Sequence, residues 1–93
     1  MRTVLFTVER LEFVGSGKFM AGGRNCGDEL RRGDRLRLTR GCASETIEVQ
    51  ADEITMYNRT VSDVAHGMTA GLFFSNDLAG HFCLGAELRG DIG

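Results

Sequence analysis

Proline and tryptophan are absent from this chain of 93 residues, and tyrosine occurs once. Without proline there can be no PxxP ligand and no proline-stiffened linker. Long apolar runs are missing as well; the longest, such as Val4-Leu5-Phe6, span about three residues, so neither a transmembrane span nor a secretory signal is expected. Cysteine is scarce: Cys26, Cys42 and Cys83 are odd in number and lack CxxC spacing. They read as reduced thiols of a cytoplasmic protein rather than a disulfide framework. His81 and Cys83 could offer two ligands from one strand face, with His66 as a third, but no standard zinc spacing is present. Neither metal nor cofactor is expected. No helix of ten residues and no internal repeat can be read.

What is abundant is glycine, 13 residues spread without low complexity. That pattern implies many tight turns. The length fits one domain, residues 1–93, large enough to bury a core. Period-2 alternation predicts the strands. In Thr3–Val14, Val4, Phe6 and Val8 share one parity while Leu11 and Phe13 take the other. A β-bulge near Glu9-Arg10 would keep both sets facing the core. Gly15-Ser16-Gly17 reads as a turn, Lys18–Ala21 as a short strand ended by Gly22-Gly23, and Gly33-Asp34 as a turn into Arg35–Thr39. Glu45–Tyr57 repeats the parity switch, with a bulge or bend near Asp52-Glu53. Thr60–His66 reads as a connection, Met68–Phe74 as a strand, Ser75–Gly80 as a polar loop and Glu87–Arg89 as a last strand. The expectation is an all-β, antiparallel fold, a closed barrel before a sandwich.

Charge is unevenly placed. The overall net charge is −2, but residues 1–43 carry +4 and residues 44–93 carry −6. Arg31, Arg32, Arg35, Arg37 and Arg40 form a basic stripe, with Arg35 and Arg37 on the outer face of one strand. Such a row could track a phosphate backbone. The simpler reading is a solvated face. If Leu38 lies opposite Ile47, Arg37 lies opposite Glu48, and an ion pair neutralises part of the stripe. Aromatic residues for base stacking are few.

Catalytic patterns are weak. Gly15-Ser16-Gly17-Lys18 resembles the end of a phosphate-binding loop, but Glu12 and Phe19 stand where that motif needs Gly and Ser or Thr. Nucleotide binding is not expected. Ser16, Ser44, Ser62 and Ser75 have no histidine placed beside them by any motif, and Asp52-Glu53 point to opposite faces if extended. No catalytic residue is assigned. A small hydrolase or metal site built from His66, His81 and Cys83 is the minor alternative. A structural homo-oligomer, with exposed barrel edges or apolar loop residues such as Phe82 buried between subunits, is another.

Taken in order, Phe6-Thr7-Val8, Gly15-Ser16-Gly17, Lys18–Gly22, Gly27 and Gly33-Asp34-Arg35-Leu36 resemble domain 2 of the translational GTPases of the elongation factor Tu type. Val49 through Met56, Arg59-Thr60-Val61, Ala65-His66-Gly67, Met68-Thr69-Ala70-Gly71-Leu72 and Gly85-Ala86-Glu87-Leu88 continue the likeness, which covers nearly all of residues 4–90. The resemblance implies a six-stranded antiparallel closed barrel. It carries no GTP hydrolysis, because the GTPase domain is absent. In that family the barrel helps hold the aminoacyl end of tRNA, at positions that fall near Val8, Glu9, Leu11, Ala21, Thr55 and Thr69. Only Glu9 keeps an acid; Leu11 replaces an aromatic, Thr55 an acid and Thr69 an asparagine. The loop between Gly27 and Gly33 is one residue longer than usual, and Leu84 stands where Arg is frequent. The expected function is therefore a stand-alone, non-enzymatic binding module. A protein partner is favoured, with RNA or the ribosome through the Arg31–Arg40 stripe as the alternative.

Overall fold

The computed structural model describes residues 1–42 and 46–92. Ser44 and Glu45, named above, lie outside them. The chain is mostly β, and among the described residues the one helical piece is a 3-10 turn, η1 (Asn76–His81), capped by the Ser75 hydroxyl. Among the described residues no helix is long and apolar enough to cross a membrane.

β1 (Arg2–Gly15) and β2 (Lys18–Asn25) form a hairpin around Ser16-Gly17. The expected bulge is present: pairing runs Val8 to Gly23, skips Glu9, and resumes with Arg10 to Gly22. It turns Arg10 and Glu12 to the outer face and keeps Leu11 packed against the core that holds Val4, Phe6 and Val8. Phe13, expected to face the core with Leu11, is instead 75% exposed: it lies next to the hairpin turn and meets the Phe19 ring at 6.4 Å between centroids without being covered. The expected end of β2 is overturned, because the strand continues through Gly22-Gly23 to Asn25. These glycines lie within the ladder, and at Gly23 the Thr7 carbonyl approaches too closely for a methyl group.

β3 (Leu30–Arg31), β4 (Leu36–Thr39), β5 (Ile47–Val49), β6 (Glu53–Met56), β7 (Arg59–Val61), β8 (Asp63–Val64), β9 (Thr69–Ser75) and β10 (Glu87–Ile92) follow. The expected strand over Glu45–Tyr57 is thus divided into β5 and β6 by a bend at Gln50–Asp52. The expected connection Thr60–His66 contains β7 and β8, each too short to show alternation.

One eight-stranded antiparallel sheet has the order β5-β4-β10-β1-β2-β9-β6-β7, and β3 pairs with β8 beside it. β5 and β6 are six spacings apart, about 29 Å if the sheet were flat. The residues joining Val49 to Glu53 reach at most about 14 Å. The sheet therefore curls strongly, although no ladder joins its two edge strands. Inside the curl, Phe19, Phe74 and Phe82 pack with ring centroids 5.0–5.8 Å apart. Phe82 is buried in this core, only 4% exposed, so it cannot be the intersubunit residue of the oligomer reading.

Two polar struts brace the curl. Asn25 is completely buried, yet its amide donates to Asp28 O and Val64 O, both at 2.9 Å, and its side-chain oxygen accepts from Gly27 N. Asn25→Ala strands those buried partners and is expected to cost about 2 kcal/mol in urea unfolding. The second strut ties the start of β1 to the β3–β4 turn. Arg2 donates to both Asp34 carboxylate oxygens at 2.8 and 2.9 Å and also to Glu29 O. Burial alone would raise the Asp34 carboxyl, but donation from the Arg2 guanidinium and the Arg31 N–H holds it below its ordinary value. A depressed carboxylate stabilises the fold above its unfolded pKa, about 3.9, and that contribution is lost as pH falls through the folded value. Asp34→Asn is expected to cost about 1–2 kcal/mol at pH 7. The deficit against the parent should shrink below about pH 4, as read by denaturant melts across pH.

Candidate functional site

The outer faces of β4 and β10 build the first groove. Alternation that buries Leu36, Leu38 and Leu88 turns Arg35, Arg37 and Arg89 to solvent. Antiparallel pairing then makes a row across four strands: Glu48, Arg37, Arg89, Leu5. Leu38 does lie opposite Ile47 and Arg37 opposite Glu48, the register read from sequence. The ion pair is diagonal instead. Glu48 meets Arg35 at 3.9 Å, with both side chains exposed, so the pair is worth little.

Arg37 has no carboxylate within ion-pair distance among the described residues. Its direct cross-strand neighbour Arg89 has the same charge, an unfavourable arrangement. Arg89 is balanced by Glu87 at 2.9 Å, and Arg40 reaches the same Glu87 oxygen at 3.8 Å. The groove encloses about 590 Å³, with Asp34, Glu48 and Asp91 among its walls beside Arg35, Arg37 and Arg89.

The basic stripe is therefore only partly one site. Arg35 and Arg37 line the groove. Arg31 is held by Glu29 and lies opposite Asp63, while Arg32 is exposed in the following turn. Arg40 sits beyond β4 with a left-handed φ of 56°. Arg89 was missed from sequence. Its outward parity beside Leu88 was readable, but its position next to Arg37 depends on the pairing of β10 with β4, strands some 50 residues apart.

The second groove, about 320 Å³, lies over β2, β9 and β6. A row of Arg10, Gly22, Gly71 and Thr55 crosses it, so two glycines form its floor. Arg10, Glu12, Met20, Thr55, Tyr57 and Thr69 wall it. Tyr57 is 82% exposed, on a hairpin turn in which both Tyr57 and Asn58 have positive φ. Of the positions carried over by resemblance, Thr55 and Thr69 reach this groove. Val8 and Ala21 are buried in the core, Leu11 packs against it, and Glu9 is the exposed bulge residue.

No protein-family model matches this chain, and no curated protein matches it. The chemistry of its surface has to be read from the grooves themselves.

His66, His81 and Cys83 are not gathered. His66 bonds Gly27 O through Nδ1, and His81 Nδ1 is buried without a partner among the described residues. No three His, Cys, Asp or Glu side chains there are grouped to hold a metal. Gly15-Ser16-Gly17-Lys18 joins two strands, so it presents no helix N-terminus to a phosphate.

Proposed function

We propose that this chain is a non-catalytic binding module of the cytoplasm. Its groove between β4 and β10 takes an extended acidic segment of a protein partner. The observation that carries this reading is the mixed lining of the groove, in which Arg35, Arg37 and Arg89 share the walls with Asp34, Glu48 and Asp91. A phosphodiester backbone offers negative charge alone and would meet those carboxylates. A peptide offers carboxylates to the arginines and N–H groups or cations to the acids. The resemblance to domain 2 of the translational GTPases belongs to the same proposal, including closure into a six-stranded barrel. It is supported by the curl imposed at Gln50–Asp52 and by the bulged first hairpin.

A photo-crosslinking residue at position 5, next to Arg89 in the cross-strand row, tests the reading in native lysate. Protein adducts that disappear with Arg37→Glu are expected. Adducts insensitive to that change would overturn it. RNA adducts would transfer the groove to the second reading, polyanion binding, which the Arg37–Arg89 apposition favours. In that case affinity should fall steeply with salt.

A further inference from the structure

Cys42 and Cys83 are 41 residues apart in sequence, in the loop after β4 and the loop before β10. The fold lays these loops side by side. Cys42 N donates to His81 O at 3.1 Å. Cys42 Sγ lies 3.5 Å from Phe82 O, and Cys83 Sγ lies 3.6 Å from Arg40 O. Each sulfur thus reaches across to a carbonyl of the other segment, which sets the two cysteines on neighbouring, crossing loops. Gly41 permits the approach, because a Cβ there would lie 2.3 Å from His81 O. The third cysteine, Cys26, is on a different loop, where its sulfur lies near Thr7 Oγ1 and Arg24 O.

We propose that Cys42 and Cys83 form a reversible dithiol site that exchanges with low-molecular-weight disulfides to give an intramolecular cross-link. Cys42 is exposed and Cys83 half-buried, which sets the order of events. The Cys42 thiolate attacks one sulfur of a small disulfide RSSR, forming a mixed disulfide and releasing one thiolate, which takes up a proton as RSH. Cys83 then loses its proton and attacks the Cys42 sulfur, releasing the second RSH. Two protein thiols are oxidised and one RSSR is reduced to two RSH. The hydrogen bond to Cys42 and partial burial both raise the Cys83 thiol, consistent with its acting second. The cross-link closes the segment running from β5 through η1.

The reduced full chain, incubated in buffers of varied oxidised to reduced glutathione and acid-trapped, provides the test. Tryptic cleavage places Cys26, Cys42 and Cys83 on separate peptides, 25–31, 41–59 and 60–89. The expected product is a 41–59/60–89 cross-link with Cys26 still free. Its melting temperature should rise by at least about 10 °C. Cys83→Ser should instead accumulate glutathione on Cys42, and Cys26→Ser should leave the cross-link intact. Gly41→Ala, which pushes the loops apart, should slow its formation at least tenfold. Stable glutathione adducts on Cys42 of the parent, a cross-link through Cys26, or a cross-link formed only after unfolding would overturn the proposal.

Discussion

Gly23→Ala is expected to cost at least about 3 kcal/mol, equivalent to a loss of some 12 °C or more in melting temperature for a chain of this size. The adjacent Gly22→Ala should stay within about 1 kcal/mol. Both glycines lie in β2 beside the Glu9 bulge. A Cβ on Gly23 would come within 1.8 Å of Thr7 O and 3.0 Å of the Phe6 ring. Thr7 O belongs to the backbone of the neighbouring strand, so it can yield only by opening the ladder, while the Phe6 ring is held in the core. A Cβ on Gly22 meets instead the Arg10 guanidinium, at 2.8 Å. That group is the far end of a flexible, exposed side chain and can swing aside at little cost. Paired thermal and urea melts of the two variants check the contrast. Equal losses would show that backbone entropy, not the close approach at the bulge, governs this site.

The second large effect concerns binding. Arg35→Glu combined with Arg37→Glu is expected to weaken partner affinity by more than about 100-fold, roughly 2.7 kcal/mol. Both side chains are exposed and line the groove, so each reversal replaces an attraction for an acidic segment with a repulsion. Arg37→Glu alone should cost about tenfold in affinity while changing stability by no more than about 0.5 kcal/mol, because the attraction gained for Arg89 is offset by repulsion from Glu48, which also lies directly opposite. Lower affinity together with an undiminished melting temperature separates a binding role from a folding role. Titration calorimetry beside melts on the same preparations measures both. Unchanged affinity would return the stripe to an ordinary solvated face.

Much of this architecture was legible along the chain. The parity switch at Glu9 required a bulge, because a strand cannot otherwise bury Val8 and Leu11 on one face. Leu36 and Leu38 fixed the outward direction of Arg35 and Arg37, and the hydrophobic match of Leu38 with Ile47 fixed Glu48 opposite Arg37. These relations are local or join successive strands. Gly22-Gly23 misled because glycine serves equally for a turn and for a close backbone approach, and only the position of Thr7 O distinguishes them. Phe82, similarly, has a neutral sequence context; its burial follows from Phe74 on the preceding strand and from Phe19 on the distant β2.

The sequence by itself determined an antiparallel β chain, its bulge, its first turn and the outward face of the basic stripe, because side-chain parity and glycine chemistry act over a few residues. Tertiary structure alone decided that Arg89 stands beside Arg37, that Gly22 and Gly71 make one floor, and that the loops of Cys42 and Cys83 cross. Each of these depends on pairing or loop packing between segments 40 or more residues apart. Nothing local to either segment encodes which distant partner it will meet; that choice is made by the core the whole sheet buries.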